Sequence, residues 1–173
     1  MAQLLLTLIG DDREGLVSAL SSVVAQHDGN WLESQMARLG GKFAGVALVE
    51  LPDARSAAFT AAVASVDGLD VAVTPALDKD EEAGTSVVLH LVGNDHPGIV
   101  RDVTAVLAER GIGIDDMHTA TRPAPMADTM LFEATAQVRL PEGVAVDELR
   151  AALEEIAAEL MVDLDFDESV DDA

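Results

Sequence analysis

Residues 4–17 (LLLTLIGDDREGLV) lie over residues 87–100 (VVLHLVGNDHPGIV) without a gap, so the chain is read as two copies of one unit. Gly10, Asp12, Gly15 and Val17 recur as Gly93, Asp95, Gly98 and Val100. A duplication of this length in 173 residues leaves each copy with about half the chain. Each copy must then close a core of its own with few elements.

The register runs on past the turn. Leu16, Leu20, Val23 and Val24 fall opposite Ile99, Val103, Val106 and Leu107, a spacing of i, i+4, i+7 and i+8 that makes one apolar helical stripe in each copy. Residues 31–39 and 43–51 flank Gly40 and Gly41, which predicts a hairpin with Phe43, Ala47, Val49 and Leu51 on its buried face. In the second copy Met130, Phe132, Ala134, Ala136, Val138 and Leu140 alternate with more polar residues, the period of a strand covered on one face. Phe59, Ala62, Val63 and Val66 predict a second helix in the first copy, and Leu149, Leu153, Ile156 and Leu160 its counterpart. Final strands are expected over 70–77 and 161–166. The fold class is therefore α+β: two tandem ferredoxin-like βαββαβ units, each an antiparallel sheet with its helices on one face.

The expected organisation is a first domain over 1–77, a charged linker over 78–84, a second domain over 85–167 and an acidic tail over 168–173. The loop 122–127, stiffened by Pro123 and Pro125, replaces the tight turn of Gly40 and Gly41; it is read as a contact surface or a tolerated insertion. Ten basic against 32 acidic side chains give a net charge of −22, with both halves acidic. Such a surface repels phosphate backbones and anionic lipid, so neither direct nucleic-acid binding nor membrane binding is expected. The absence of cysteine removes disulfides, thiolate metal sites and cysteine nucleophiles. With no leader-like start and no apolar stretch of spanning length, the expected location is cytoplasmic.

The repeated turn is the candidate site. Asp12, Arg13, Glu14 and Gly15 in one copy, and Asp95, His96, Pro97 and Gly98 in the other, stand between the first strand and the first helix. A helix N-terminus offers unpaired amides to a carboxylate, and an adjacent aspartate can receive an ammonium group, so the pair of features suits a zwitterion. A second reading stands beside it, in which Asp12 and Asp95 are N-caps and nothing more, a place aspartate favours.

These turns, with residues 29–34 (GNWLES), residues 109–116 (ERGIGIDD) and above all the run from His96 to Val100, resemble the ACT domain family, over nearly the whole chain. The resemblance is to tandem members that repress transcription of the glycine cleavage system. It implies regulatory amino acids held where two such domains pair, by the turn after the first strand and by an Asn at the start of the second. Carried over, that adds Asn30 to the site; the second copy has Gly113 at that place. It also implies a regulatory protein partner, with no DNA-binding motif in the chain itself. A homodimer is expected from pairing of sheet edges.

Nothing points to catalysis, to a cofactor or to a metal. His27, His90, His96 and His118 are scattered without ligand spacing, and Ser18, Ser21 and Ser22 have no paired base. Trp31, the only tryptophan, is read as a core or interface anchor beside Asn30. The expected function is a non-enzymatic sensor that binds a small amino acid, glycine or serine by the resemblance, and passes its state to a partner. The alternative is a ligand-free protein–protein interaction module.

Overall fold

A computed structural model describes residues 1–77, 84–124, 129–160 and 162–168. The chain divides into two compact units, Met1–Lys79 and Asp80–Ala173. The first unit runs β1 (Ala2–Asp11), α1 (Leu16–Gln26), β2 (Asn30–Leu39), β3 (Lys42–Leu51), α2 (Ser56–Val63) and β4 (Leu69–Pro75). The second runs β5 (Gly84–Asn94), α3 (Ile99–Glu109), β6 (Gly113–Pro123), β7 (Met130–Pro141), α4 (Val146–Leu160) and β8 (Val162–Glu168). Strand orders are β2-β3-β1-β4 and β6-β7-β5-β8, all neighbours antiparallel. Each unit is thus the ferredoxin-like βαββαβ arrangement expected from the repeat.

Alternation decides which strand face is inward. In the first unit Leu4, Leu6 and Leu8 of β1 and Ala47, Val49 and Leu51 of β3 are buried, and meet Leu16, Leu20 and Val24 of α1 and Phe59 and Val63 of α2 in one continuous core. Truncating a fully buried leucine such as Leu6 or Leu20 costs about 2–5 kcal/mol. The second unit splits its core. Leu91, Ile99, Phe132 and Ala157 form a cluster separate from the one around Val87, Leu89, Leu107, Val138 and Leu149. Gly40 and Gly41 take φ of 59° and 79°, the two positive dihedrals that a two-residue hairpin following the twist of β2 and β3 requires. One irregularity is duplicated: a bulge between Trp31 and Glu33 returns between Ile114 and Asp116.

Several boundaries differ from the sequence reading. α2 stops at Val63, and Val66 packs against the core from the loop beyond it, its N–H bonded to the Val63 carbonyl. The turn through Gly68, at φ 79°, then starts β4 at Leu69 and ends the strand at Pro75, so Ala76 and Leu77 lie past it. β8 extends to Glu168 rather than stopping at Phe166. Met130, at the end of its strand, is 43% exposed instead of joining the core. Gly84, read as linker, opens β5, and Arg122 and Pro123, read as loop, close β6. The rest of the linker (78–83), of the proline loop (125–127) and of the tail (169–173), with residue 161 at the expected start of the last strand, lies outside the described residues.

Candidate functional site

Each repeated turn is tied to its own sheet by a backbone bond. The Asp12 N–H donates to the Gly41 carbonyl at 3.0 Å, and the Asp95 N–H donates to the Met130 carbonyl at 2.9 Å. The helices then start at Gly15 and Gly98, whose φ of 85° and 101° lie in the left-handed region, where glycine alone among common residues sits without strain. Neither N-cap makes a side-chain hydrogen bond. The capping reading of Asp12 and Asp95 therefore fails: the aspartates stand three residues before the caps, and among the described residues no side-chain hydrogen bond caps either helix.

The two turns differ in charge. In the first, Asp12 pairs with Arg38 Nε at 3.2 Å and keeps a side chain 31% exposed. Arg13 is turned away from the helix end; its guanidinium donates to the Asp67 carboxylate at 2.8 Å and to the Asp67 carbonyl. Lys42 holds Asp11, and the hydrogen bond it donates is the main reason that the Asp11 carboxyl lies below the ordinary carboxylate range. Glu14 is exposed, and the first turn of α1 contains no acidic residue. In the second copy Asp95 is exposed, and among the described residues no cation lies within ion-pair distance of it. His96 is half-buried with Nδ1 3.3 Å from the Pro97 carbonyl oxygen. Here an acid does sit in the first helical turn: Asp102, bonded by Arg101 Nε at 2.7 Å, its carboxyl lowered chiefly by that bond.

Asn30 is placed elsewhere. It opens β2 opposite Glu50, which is itself opposite Gln3, whereas Asp12 follows Asp11 at the other end of β1. Asn30 and Leu39 are the two ends of the ten-residue β2, with Leu39 at the turn, roughly 30 Å apart at about 3.3 Å per residue. A single unit therefore does not bring Asn30 to Asp12.

Sequence reasoning did not identify Arg38, Asp67 or Asp102 as parts of these turns. Arg38 was within reach of it, because the hairpin register sets Arg38 opposite Phe43 and Phe43 opposite Gly10. Also missed was a small apolar cavity of about 30 Å³ between α3 and its sheet, bordered by Val103, Leu107, Ile114 and Met117. Val103 and Ile114 stand where the first unit has Leu20 and Trp31, and the smaller side chains leave the space.

The histidines serve local structure. His27 Nδ1 lies 2.8 Å from the Val23 carbonyl and its ring meets Phe59 edge-on at 5.7 Å; His90 Nδ1 is 3.2 Å from Thr135 Oγ1. Among the described residues no group of three or more His, Asp or Glu could hold a metal ion, and no helix is long and apolar enough to cross a membrane.

The family model described as ACT domain matches residues 2–68 and again 85–167. The crystal structure of an unknown protein from Galdieria sulphuraria is 32% identical, with 98% of this chain and 99% of that one covered, at a TM-score of 0.88. That of a candidate glycine cleavage system transcriptional repressor is 18% identical, with 97% and 98% covered, at a TM-score of 0.72, a likeness of fold. No curated protein matches the chain. Two successive copies of one domain account for nearly all of it, and the chain belongs to the ACT domain family.

Proposed function

We infer that this protein is a non-catalytic regulatory sensor of the cytoplasm, in which the turn after the first strand of an ACT module receives a small free amino acid and a second module completes the site. The observation that carries this reading is the duplicated turn itself. In both copies a left-handed glycine starts the helix, among the described residues no side-chain hydrogen bond caps it, and an aspartate stands three residues before it. First-turn amides suit the ligand carboxylate, and Asp12 or Asp95 suits its ammonium. Asn30 enters such a site only as the contribution of a second module, because in its own module it lies at the opposite end of the sheet.

Glycine and serine are the first ligands to test, since the repressor with which the chain shares its fold is named for glycine cleavage. A ligand that binds one arrangement of the modules better than another shifts their populations, and a regulatory protein partner reads the result. A net charge of −22 disfavours direct contact with nucleic acid, so the partner is a protein.

One observation favours the ligand-free interaction module instead: Arg38 already occupies Asp12. Titration of the full chain with each of the twenty amino acids, followed by Trp31 emission, thermal midpoint and calorimetry, separates the two. A ligand of the native state must raise the midpoint. Flat responses across the whole set at millimolar concentration, with a partner still bound, overturn the sensor reading.

A further inference from the structure

We propose that Asp67 is a positioning residue of the first repeated turn: acting through Arg13, it holds that turn in shape before a ligand arrives, as Pro97 does in the second copy. The proposal rests on the sensor reading above and adds to it how each site is preformed.

The two turns share an outline. Each starts with a backbone bond, from the Asp12 N–H to the Gly41 carbonyl or from the Asp95 N–H to the Met130 carbonyl, and each ends on a left-handed glycine, Gly15 or Gly98. Between those points lie Arg13 and Glu14 in one, His96 and Pro97 in the other. The proline ring fixes φ near about −65° and removes one N–H, which leaves the second turn few shapes to adopt. Glu14 sets no such limit, so the first turn gives up more conformational freedom when it settles.

What restrains the first turn comes from the α2–β4 connection, 54 residues along the chain. Arg13 Nη2 donates to the Asp67 carboxylate at 2.8 Å and to the Asp67 carbonyl. The next residue is shaped for that contact: Gly68 takes φ of 79°, and a Cβ there would fall on the Arg13 guanidinium. The Gly68 carbonyl packs in turn on Gly10, where a Cβ would fall on its oxygen. The guanidinium therefore lies over bare backbone at the place where β1 runs into the turn.

The second module has no such clasp. Gly10 lies opposite Leu69 and Gly93 opposite Val162, so Leu160 and Met161 match Asp67 and Gly68, and His96 matches Arg13. None of the three has a carboxylate or a guanidinium. Each copy thus carries one restraint, the ion pair without the proline or the proline without the ion pair. That exchange is expected where the shape of the turn matters and the means of holding it does not. A turn already in shape binds without first ordering its backbone, and the difference appears as affinity.

The test is 15N relaxation of the full chain without ligand. In the native chain the amides of Arg13, Glu14 and Gly15 should have order parameters of about 0.85, the rigid-backbone value, as should those of His96 and Gly98. R13A and D67A should lower the first three toward about 0.6 and leave the second turn unchanged. R55A, which breaks the pair with Asp28 in the same module, should change neither turn. E14P copies Pro97 and should restore order to R13A, whereas P97A should loosen the second turn alone. Circular dichroism checks each fold. A native first turn that is already mobile, an R13A turn as ordered as the native one, equal loosening by R55A, or an E14P/R13A turn as loose as that of R13A overturns the proposal.

Calorimetric titration with glycine and serine reads the consequence. With D95A present to isolate the first turn, D67A should weaken binding about twofold to fivefold, the worth of an exposed ion pair, and E14P should regain it. Unchanged affinity in D67A overturns the positioning role. Failure of the native chain to bind any amino acid overturns the sensor reading instead, and relaxation alone then decides whether the clasp orders the turn.

Discussion

Replacing Asp12 by alanine separates the ligand-binding reading of the turn from every structural one. Were Asp12 an N-cap, its loss would cost about 0.5–2 kcal/mol. Here Gly15 is the N-cap and takes no side-chain bond, so what the substitution removes is an ion pair with Arg38, whose own side chain is 73% exposed. Exposed pairs contribute about 0.2–1 kcal/mol, and the lower half of that range is expected for a single 3.2 Å contact. Affinity should respond more strongly. A charge-assisted hydrogen bond between carboxylate and ammonium contributes about 1.5–3 kcal/mol, or roughly a tenfold to hundred-and-fiftyfold loss in binding constant. Arg38→Ala moves the two readouts in opposite directions: it loses the same small stability yet frees Asp12, and should tighten binding by up to about fivefold. The assays are urea unfolding without ligand and calorimetric titration with the amino acid found by screening. A loss of stability above about 1.5 kcal/mol in Asp12→Ala would restore the cap. Unchanged affinity in Asp12→Ala, or weaker binding in Arg38→Ala, would refute the role given to the carboxylate.

Other perturbations follow from the same geometry. Gly15→Ala should destabilise by about 1–2 kcal/mol through left-handed backbone strain alone, since a Cβ there meets nothing within 4 Å, and Gly15→Asn should cost less; urea unfolding ranks the three. Val103→Leu, which copies Leu20 of the first module, should stabilise the second by up to about 0.7 kcal/mol by filling a cavity of about 30 Å³; a loss in the same measurement would mean that no such space exists. The Asp11 carboxyl is held low by Lys42, so its folded pKa lies below the unfolded one. The stability this provides is complete above the ordinary aspartate value and is lost as the pH falls through the lowered one, starting below about 4. The difference between the native chain and Lys42→Met should accordingly persist at neutral pH and vanish in acid.

The architecture was legible because duplication sets two independent windows on one pattern. Leu16, Leu20 and Val24 could be read as a helical stripe with Ile99, Val103 and Leu107 as a second sample of it, and all except the half-buried Val103 are buried. Boundaries were less legible where a glycine or the sheet register outweighs hydrophobic spacing: Val66 continues the apolar period of α2, yet the turn through Gly68 ends the helix at Val63. The turn's location was legible, and its electrostatics only partly. Arg13 stands in the turn before the helix, but Asp67, 54 residues away, holds its guanidinium. Asn30 shows the opposite limit. Its position in the chain matches the family pattern, and only the strand register reveals that it lies at the wrong end of its own module.

The two turns are also unequal in a way that ranks them. A zwitterion needs an accessible carboxylate for its ammonium and an open helix end for its carboxylate. The first turn has the open helix end, since α1 carries no acid in its first turn, but Asp12 must be released from Arg38. The second has Asp95 exposed, but Asp102 stands at its helix end, close enough that a Cβ on Gly98 would lie 3.6 Å from its Oδ2. Releasing Asp12 costs about 0.2–1 kcal/mol, the worth of an exposed pair. Bringing a ligand carboxylate to about 4 Å from Asp102 costs about 1 kcal/mol if water screens the two charges fully and about 4 kcal/mol at the effective dielectric of a protein surface. Arg101 offsets part of that repulsion, yet its guanidinium is already bonded to Asp102 and cannot serve both carboxylates with the same Nε–H. On the sensor reading the smaller penalty belongs to the first turn, which is then expected to be the tighter of the two sites, with the second filling only at higher ligand concentration; calorimetric titration of Asp12→Ala and Asp95→Ala checks the order.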